Sequence, residues 1–319
     1  TGMENTLGLN LNRLARRGEK REALPPVCYF ISRQNIRKGG ITTYRWKKGI
    51  ASWKCGETLY LSVPFTWLMP EAEKMAAVHR GPVLIGGPGT MKPNQECPGF
   101  NPLSFHNPCA TFTSRGCPNR CDFCAVPKLE GEFREIPDFK PAPIICDNNF
   151  TAASRKHQER VVDKLKQFLL VDFNQGLEAG RFAPDLADLL GQLKCKVRFA
   201  FDHVNLESKV KAAIDLCRQR TTKDIGIYVL IGFNDTPEDA RYRLEKVRSW
   251  GIRPNPMRYQ PLTARKKNEY VAPGWTELEL ARMVDYYSLL RWYEHIPYED
   301  FEYRVREEDQ TQLDFKGGA

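Results

Sequence analysis

Apolar strand-like runs alternate with amphipathic helix-like segments from residue 107 onward, and this alternation constrains the fold more than any other feature. Strands that alternate with helices imply a parallel sheet, so the pattern predicts an α/β fold. The six predicted strands are Cys109–Ser114, Pro143–Phe150, Leu169–Gln175, Val197–Asp202, Ile225–Gly232 and Pro256–Leu262. The predicted helices are Ala152–Phe168, Pro184–Leu193, Glu207–Arg218, Thr236–Trp250 and Glu277–Tyr293.

The chain before residue 107 divides into two further regions. Residues 1–24 form a basic leader, and residues 25–106 form a small α/β region. In that region the strand Leu59–Val63, the helix Pro70–Val78 and the strand Pro82–Gly89 follow one another, which predicts a parallel strand pair. We assign residues 107–265 to the main α/β domain and residues 266–319 to a last helix and an acidic tail that complete it.

Three thiols stand close together at Cys117, Cys121 and Cys124. No helix or strand places all three on one face, so a loop must fold them around a common centre. Thiolates gathered this way select zinc, copper(I) or iron–sulfur clusters. A structural zinc site normally has four protein ligands, and here it would recruit Cys109 or His106 as the fourth. A cubane cluster held by three cysteines leaves one iron open for catalysis.

The spacing C-x3-C-x2-C, with Phe123 before the last cysteine, resembles the radical S-adenosylmethionine (SAM) enzymes. The resemblance implies a [4Fe-4S] cluster on Cys117, Cys121 and Cys124, with SAM bound at the open iron. It also implies reductive cleavage of SAM to methionine and a 5′-deoxyadenosyl radical that abstracts hydrogen from a substrate. The implied fold is an open, partial (βα)6 barrel, and the implied partner is an external electron donor such as a flavodoxin or ferredoxin.

The ends of the predicted strands supply the other candidate residues, because chemistry in parallel α/β barrels gathers at the C-terminal strand ends. The resemblance assigns the adenine to Phe123 and Gly232, the SAM ammonium to a segment that here reads Asp-Asn-Asn, and the ribose or carboxylate to Asp202. The candidate cofactor-binding residues are Phe123, Asp147, Asn148, Asn149, Gln175, Asp202 and Gly232.

Each strand-end residue also has a structural alternative. His203 and Arg258 are the candidate catalytic residues, His203 for proton transfer and Arg258 for neutralising a carboxylate of SAM or substrate. Strand-end Asp and Asn side chains also cap helices and turns, and His203 fits a hydrogen-bonded structural role. Gln175 and the nearby Glu178 are also candidates for shaping a substrate pocket.

The small N-terminal region resembles a shortened cobalamin-binding-type domain, which precedes some radical SAM barrels and has a similar Val-Leu-Ile-Gly-Gly-Pro strand end. The Asp-x-His-x-x-Gly signature that supplies a histidine to cobalt is absent, since neither His79 nor His106 stands in that context. We therefore predict no cobalamin.

The possibility of a second cluster formed by Cys28, Cys55, Cys97 and Cys109 stays open, although no compact spacing supports it. Cys146, Cys195 and Cys217 lie in apolar segments and are interpreted as buried small hydrophobic residues.

Charge and hydropathy bear on partners and location. The net charge of +9 is concentrated in Arg13–Arg21 and Arg33–Lys48, where Tyr44 and Trp46 lie among the basic residues. Such a segment suits nucleic acid binding, and it equally suits a solvated N-terminal arm. No apolar run reaches membrane-spanning length, and Asn10–Arg17 lacks the apolar core of a secretory signal, so we expect a cytoplasmic protein without membrane contact.

Three functions remain open from the sequence. The first is a radical SAM enzyme that acts on a nucleic acid or nucleotide, which the charge slightly favours. The second is a radical SAM enzyme that acts on a small molecule or peptide. The third is a non-catalytic zinc- or cluster-binding module that grips nucleic acid, and the ordered polar strand ends argue against it. Neither the substrate nor the oligomeric state is encoded in a motif.

Overall fold

The computed structural model describes residues 41–47, 49–91, 103, 107, 109–289 and 294–303. The basic leader, the first part of the basic segment before residue 41, and the end of the acidic tail lie outside these residues. So do Cys28, Cys97 and His106, which the sequence analysis named as alternative metal ligands.

A four-stranded sheet forms the small N-terminal region. Its strands are β1 (Ile41–Lys47), β2 (Ile50–Cys55), β3 (Thr58–Ser62) and β4 (Val83–Gly86), paired in that order. Strands β1, β2 and β3 are antiparallel, whereas β3 and β4 are parallel and are joined through helix α1 (Met69–Ala77). The parallel pair was predicted. The antiparallel strands were not, and the end of the basic segment is therefore a strand of this sheet.

The second sheet has six strands, all parallel, and its spatial order follows the chain. A short antiparallel hairpin, β6 (Ser114–Arg115) and β7 (Arg134–Glu135), intervenes after the first strand. The six strands are β5 (Ala110–Thr111), β8 (Ile144–Ile145), β9 (Val171–Phe173), β10 (Cys195–Ala200), β11 (Ile225–Ile231) and β12 (Pro254–Arg258). The predicted α/β class and parallel sheet are confirmed.

Helices follow the strands and cover one face of this sheet. They are α2 (Val126–Leu129), α3 (Arg155–Leu165), α4 (Pro184–Leu190), α5 (Glu207–Arg220), α6 (Pro237–Ser249) and α7 (Glu277–Ser288). The starts of the longer ones are fixed by side-chain caps: Thr236 accepts from the Asp239 amide, and Thr276 forms a capping box with Glu279.

The two faces of the six-stranded sheet differ, because successive side chains of a strand point to opposite sides. Along β10, Val197 and Phe199 are fully buried and join the core with the helices, whereas Arg198 and Ala200 lie on the second face and are half-buried. The same alternation continues beyond the strand. Phe201 is buried with the core and Asp202 falls on the second face.

Several strands are shorter than predicted. The clearest case is the predicted strand Pro143–Phe150, of which only Ile144–Ile145 forms a strand. The residues after it leave the ladder because the side chains of Asp147, Asn148 and Asn149 make hydrogen bonds to other loops. Within the described part of the chain, no helix has both the length and the apolar character that crossing a membrane requires.

Candidate metal and cofactor site

The three cysteines lie on one loop, residues 116–125, which we call the cysteine loop. It leaves hairpin strand β6 directly after β5, so it stands at the C-terminal edge of the parallel sheet. All three thiols are free; Cys117 and Cys124 are half-buried and Cys121 is exposed. A turn in which the Cys124 amide donates to the Cys121 carbonyl at 2.9 Å shapes the end of the loop.

The three thiols share one neighbourhood. Burial raises the pKa of Cys121, and the neighbouring Cys124 and Cys117 raise it further. Burial likewise raises the pKa of Cys124; a hydrogen bond from the Val126 backbone opposes this, and Cys117 adds to it. Within the described residues, however, no group of three or more His, Cys, Asp or Glu side chains is arranged so that it could hold a metal ion. The donor chemistry fits a soft metal or an iron–sulfur cluster, while the thiol positions are not those of ligands around one ion.

The base of the cysteine loop is held by Asp147, which follows β8. Its Oδ1 accepts from the Thr113 amide at 2.6 Å, and its Oδ2 accepts from the hydroxyls of Thr113 and, at 2.9 Å, Ser114. Burial raises the pKa of this carboxyl, against the lowering effect of those hydrogen bonds. Both oxygens of Asp147 therefore serve the strand that leads into the loop.

A second carboxylate, Glu130, closes the loop from its far side. One oxygen, Oε2, accepts from Arg115 Nε at 2.9 Å, from the Gly116 amide at 2.9 Å and from Asn148 Nδ2 at 2.7 Å. Glu130 thereby ties the first residues of the loop to the residues after β8. Asn148, predicted to hold the SAM ammonium, directs its amide nitrogen to this carboxylate.

A third carboxylate, Glu178, reaches the loop from the segment after β9. Its Oε2 accepts from Asn119 in the loop, from Asn149 and from Arg181, each at 2.9 Å. The same amide nitrogen of Asn149 also approaches Cys117 Sγ at 3.5 Å. Asn149 thus lies between a cluster-ligand candidate and a carboxylate.

Asp202, after β10, is a predicted cofactor residue whose carboxyl also has a raised pKa. Burial raises the pKa of Asp202 to about 6, although a hydrogen bond from the Leu230 backbone and the charge of Arg243 act in the opposite direction. Asp202 is also near enough to contribute, after burial and the thiols themselves, to the raised pKa values of Cys121 and Cys124. Asp202 therefore lies within electrostatic range of the thiols of the cysteine loop.

An aromatic row connects the cysteine loop to the far strands. Phe123 makes an edge contact with Phe233, after β11, with ring centroids 5.8 Å apart. Phe233 contacts Tyr259, after β12, at 4.7 Å, and Tyr259 contacts Tyr270 at 5.2 Å. The loop after the first strand of the sheet therefore contacts the residues after β11, and through Phe233 the row continues to β12.

The segment Gly232–Asp235, which we call the β11 loop, is fixed by a buried ion pair. Asp235 Oδ1 accepts from the amides of Gly232 at 3.0 Å and Phe233 at 3.2 Å, and its Oδ2 pairs with Arg243 of α6. Arg243 is 1% exposed and also donates to the carbonyls of Phe201 and Leu230. Gly232 has φ +72°, a conformation that favours glycine.

Three predicted residues make no hydrogen bond to the cysteine loop within the described part of the chain. His203 is exposed, and its Nδ1 accepts from the Asn205 amide at 3.1 Å, which caps a short 3-10 turn. Arg258 shares its sheet face with Ile231, on the helix-covered side, and donates to the carbonyls of Asn268 and Tyr270. Gln175 is exposed. In the structure His203 and Arg258 thus have the structural contacts that were weighed as alternatives.

Three residues of the site, Glu130, Arg243 and His157, were not predicted from the sequence. His157 of α3 is 1% exposed, and its Nε2 donates to the Thr113 carbonyl at the base of the cysteine loop at 2.9 Å. Charged or titratable residues at apolar helix positions were the available signal for His157 and Arg243. No signal was available for Glu130, whose partners are set by the folding of the loop itself.

Of the other cysteines that the structure describes, Cys146, Cys195 and Cys217 lie outside the cysteine loop. Cys195 and Cys217 are buried, as predicted, while Cys146 is half-buried beside β8. Cys109 is disulfide-bonded.

Protein-family models gave no match to the chain, and neither did the curated proteins. The interpretation of the site therefore depends on the residues just described.

Proposed function

We propose that the chain is a radical SAM enzyme whose [4Fe-4S] cluster is held by Cys117, Cys121 and Cys124. The observation that carries the proposal is the position of three free thiols on one loop at the C-terminal edge of a parallel sheet, where polar groups from the neighbouring strand ends meet it. Bound there, the cluster would supply the electron that cleaves SAM into methionine and a 5′-deoxyadenosyl radical.

The proposal includes an open, partial (βα)6 barrel. Strands β5 and β11 are separated by three strands, so in a flat sheet they would lie about 19 Å apart. Phe123, on the loop that follows β5 and β6, nevertheless contacts Phe233 at the end of β11, at 5.8 Å. Curvature of the sheet that brings its C-terminal ends together accounts for this contact. The same curvature would make the half-buried second face the interior of the barrel.

The chain's own residues would position the reactants and exclude water. Asp147 and Glu130 fix the two ends of the segment that leads into the cysteine loop, so the thiols start from a defined backbone. The aromatic row from Phe123 to Tyr259 offers an apolar wall on which a flat base can pack. Asp202, within electrostatic range of the thiols, is an acceptor for hydroxyl groups when ionised.

The experiment that tests this proposal is anaerobic purification and reconstitution, followed by iron and sulfide analysis and an assay for 5′-deoxyadenosine with dithionite and SAM. We expect iron and sulfide in the ratio of a [4Fe-4S] cluster, and SAM-dependent 5′-deoxyadenosine. The Cys117→Ala variant should lose both. The matched control is Cys146→Ala, which removes a half-buried thiol outside the loop and should keep the wild-type iron content.

Two results would overturn the proposal. The first is zinc at one equivalent without sulfide in the wild-type chain, which would favour the zinc-binding module. The second is 5′-deoxyadenosine production that is the same in Cys117→Ala as in wild type.

The proposed substrate is a nucleic acid or nucleotide, the electron donor a flavodoxin or ferredoxin, and the compartment the cytoplasm. The net charge of +9 supports an anionic substrate. Binding of tRNA or DNA measured by gel shift should weaken steeply as salt is raised. Absence of binding at low salt would exclude this substrate class and leave the small-molecule or peptide enzyme.

A further inference from the structure

The amide of Asn149 has a fixed orientation beside a cluster-ligand candidate. Its Nδ2 lies 2.9 Å from Glu178 Oε2, and its Oδ1 lies 2.6 Å from the Thr151 hydroxyl. An ionised carboxylate only accepts hydrogen bonds, so the atom facing Glu178 must be the amide nitrogen, and the Thr151 hydroxyl donates to the amide oxygen. Asn149 is 3% exposed, so solvent does not compete for these contacts.

The second proton of this amide nitrogen points to sulfur. The Asn149 Nδ2 lies 3.5 Å from Cys117 Sγ, which is within hydrogen-bond distance for a sulfur acceptor. Of the other two thiols, Cys124 receives its hydrogen bond from the backbone of Val126, and Cys121 is exposed. Cys117 is therefore the one thiol of the three for which the described residues provide a side-chain donor.

We infer that Asn149 is a positioning residue that raises the reduction potential of the cluster by donating a hydrogen bond to Cys117 Sγ, with Glu178 and Thr151 holding the amide in place. This inference rests on the proposed function. Reduction adds negative charge that the thiolate ligands share, so an N–H donor at a ligand sulfur stabilises the reduced cluster more than the oxidised one. Asn149 would thus make the first electron transfer easier rather than contact the reacting atoms.

The test is a reduction titration of the reconstituted cluster, monitored by electron paramagnetic resonance, in wild type and Asn149→Ala. One hydrogen bond to a charged group is worth about tenfold in an equilibrium constant. The variant should therefore show about a tenfold smaller constant for one-electron reduction, a shift of about 59 mV to more negative potential. The matched control is Asn255→Ala on β12, whose amide donates to the Ile227 carbonyl and not to a thiol. Its potential should equal that of wild type.

Each outcome decides the question. A wild-type cluster with the same potential in Asn149→Ala, or an equal shift in Asn255→Ala, overturns the role of Asn149 and leaves the proposed function intact. A wild-type chain that takes up no iron–sulfur cluster overturns both. If Asn149→Ala folds but binds no cluster, the Asn149→Leu variant, which is close to asparagine in size and has neither a donor nor a charge, is titrated instead, and a more negative potential is expected. Loss of the cluster in both variants means that the amide holds the cluster rather than tunes it, which also overturns the inference.

Discussion

The cysteine loop and the β11 loop lie at the same edge of the parallel sheet, but they are held in opposite ways. The β11 loop is closed by a buried ion pair, Arg243–Asp235, whose guanidinium also satisfies two carbonyls. The cysteine loop is held at its base by the buried Asp147 and, along its length, by the half-buried carboxylates Glu130 and Glu178. Its thiols remain free and partly accessible.

This difference indicates that the two loops have different roles. A buried ion pair is costly to break, so the β11 loop has one conformation and provides a rigid wall at Gly232 and Phe233. Half-buried carboxylates that accept from several amides fix the ends of the cysteine loop and leave its middle able to adjust. A loop that gathers three thiols around the proposed cluster would need this freedom.

Loss of Arg243 should have the largest effect on stability. The Arg243→Ala variant leaves Asp235 and the Phe201 and Leu230 carbonyls without their buried donor, and we expect it to lose about 3–5 kcal/mol of unfolding free energy. Urea unfolding measures the loss. The control is Arg241→Ala on the same helix, whose pair with Glu299 is 41% and 56% exposed and is worth about 1 kcal/mol or less. Equal losses in the two variants would contradict the rigid-wall interpretation.

Replacement of Asp202, which follows β10, should give a pH-dependent gain in stability. Its folded pKa of about 6 lies above the ordinary value of 3.8, so the ionised carboxylate costs stability at neutral pH. Asp202→Asn should therefore raise the unfolding free energy at pH 7.5 by up to about 3 kcal/mol. The gain should shrink as the pH falls through 6 and vanish near pH 4, where wild-type Asp202 is protonated. An equal gain in unfolding free energy at pH 7.5 and pH 4 would mean that the titration of Asp202 is not its cause.

Removal of Glu130 should loosen the cysteine loop alone. In Glu130→Ala the Gly116 amide, Arg115 and Asn148 lose their shared acceptor, which we expect to cost about 1–3 kcal/mol and to speed the reaction of the loop thiols with a disulfide reagent. The control is Glu132→Ala, two residues further on and exposed. Thiol reactivity that is unchanged in Glu130→Ala would mean that this carboxylate does not hold the loop.

The smallest expected effect is that of Gly232→Ala in the β11 loop. Its φ of +72° is unfavourable for alanine, and the added Cβ would lie 2.6 Å from Leu280 Cδ2, a side-chain end that can turn away. We expect a loss of about 1 kcal/mol in unfolding free energy. Gly180→Ala, where the nearest atom to the added Cβ is 3.7 Å away, should be close to neutral. If Gly232→Ala leaves the unfolding free energy unchanged, the β11 loop is more flexible than its ion pair suggests.

The sequence predicted the parts of the fold that local pattern determines. Alternating strands and helices gave the parallel sheet, and Thr236-Pro237 gave the start of α6, because hydrophobic period and capping act over a few residues. The cysteines identified the loop. The contacts that hold the site were beyond prediction, since their partners are far apart in the chain: Arg243 bonds Phe201 across 42 positions and Thr113 bonds Asp147 across 34.

Strand-end polar residues show the same limit at single positions. His203 and Asp202 are adjacent and both follow β10, yet one caps an exposed turn and the other lies within electrostatic range of the cysteine loop. The alternation of side chains along β10 assigns Asp202 to the second face. The alternation holds only as far as the strand extends, so the length of the strand decides to which residues it applies. The structural contacts of Arg258 could not be predicted, because its register with Ile231 cannot be read from the sequence.

The composition of β12 affects how the molecule behaves towards copies of itself. Among the described strands β12 is the last of its sheet, and the Tyr259 amide donates inward to the Ile231 carbonyl. Amide directions alternate along a strand, so positions 254 and 256 face outward, and both are proline. Two of the backbone amide donors that an added strand would need are thus missing. This edge of the sheet therefore resists polymerisation by strand addition.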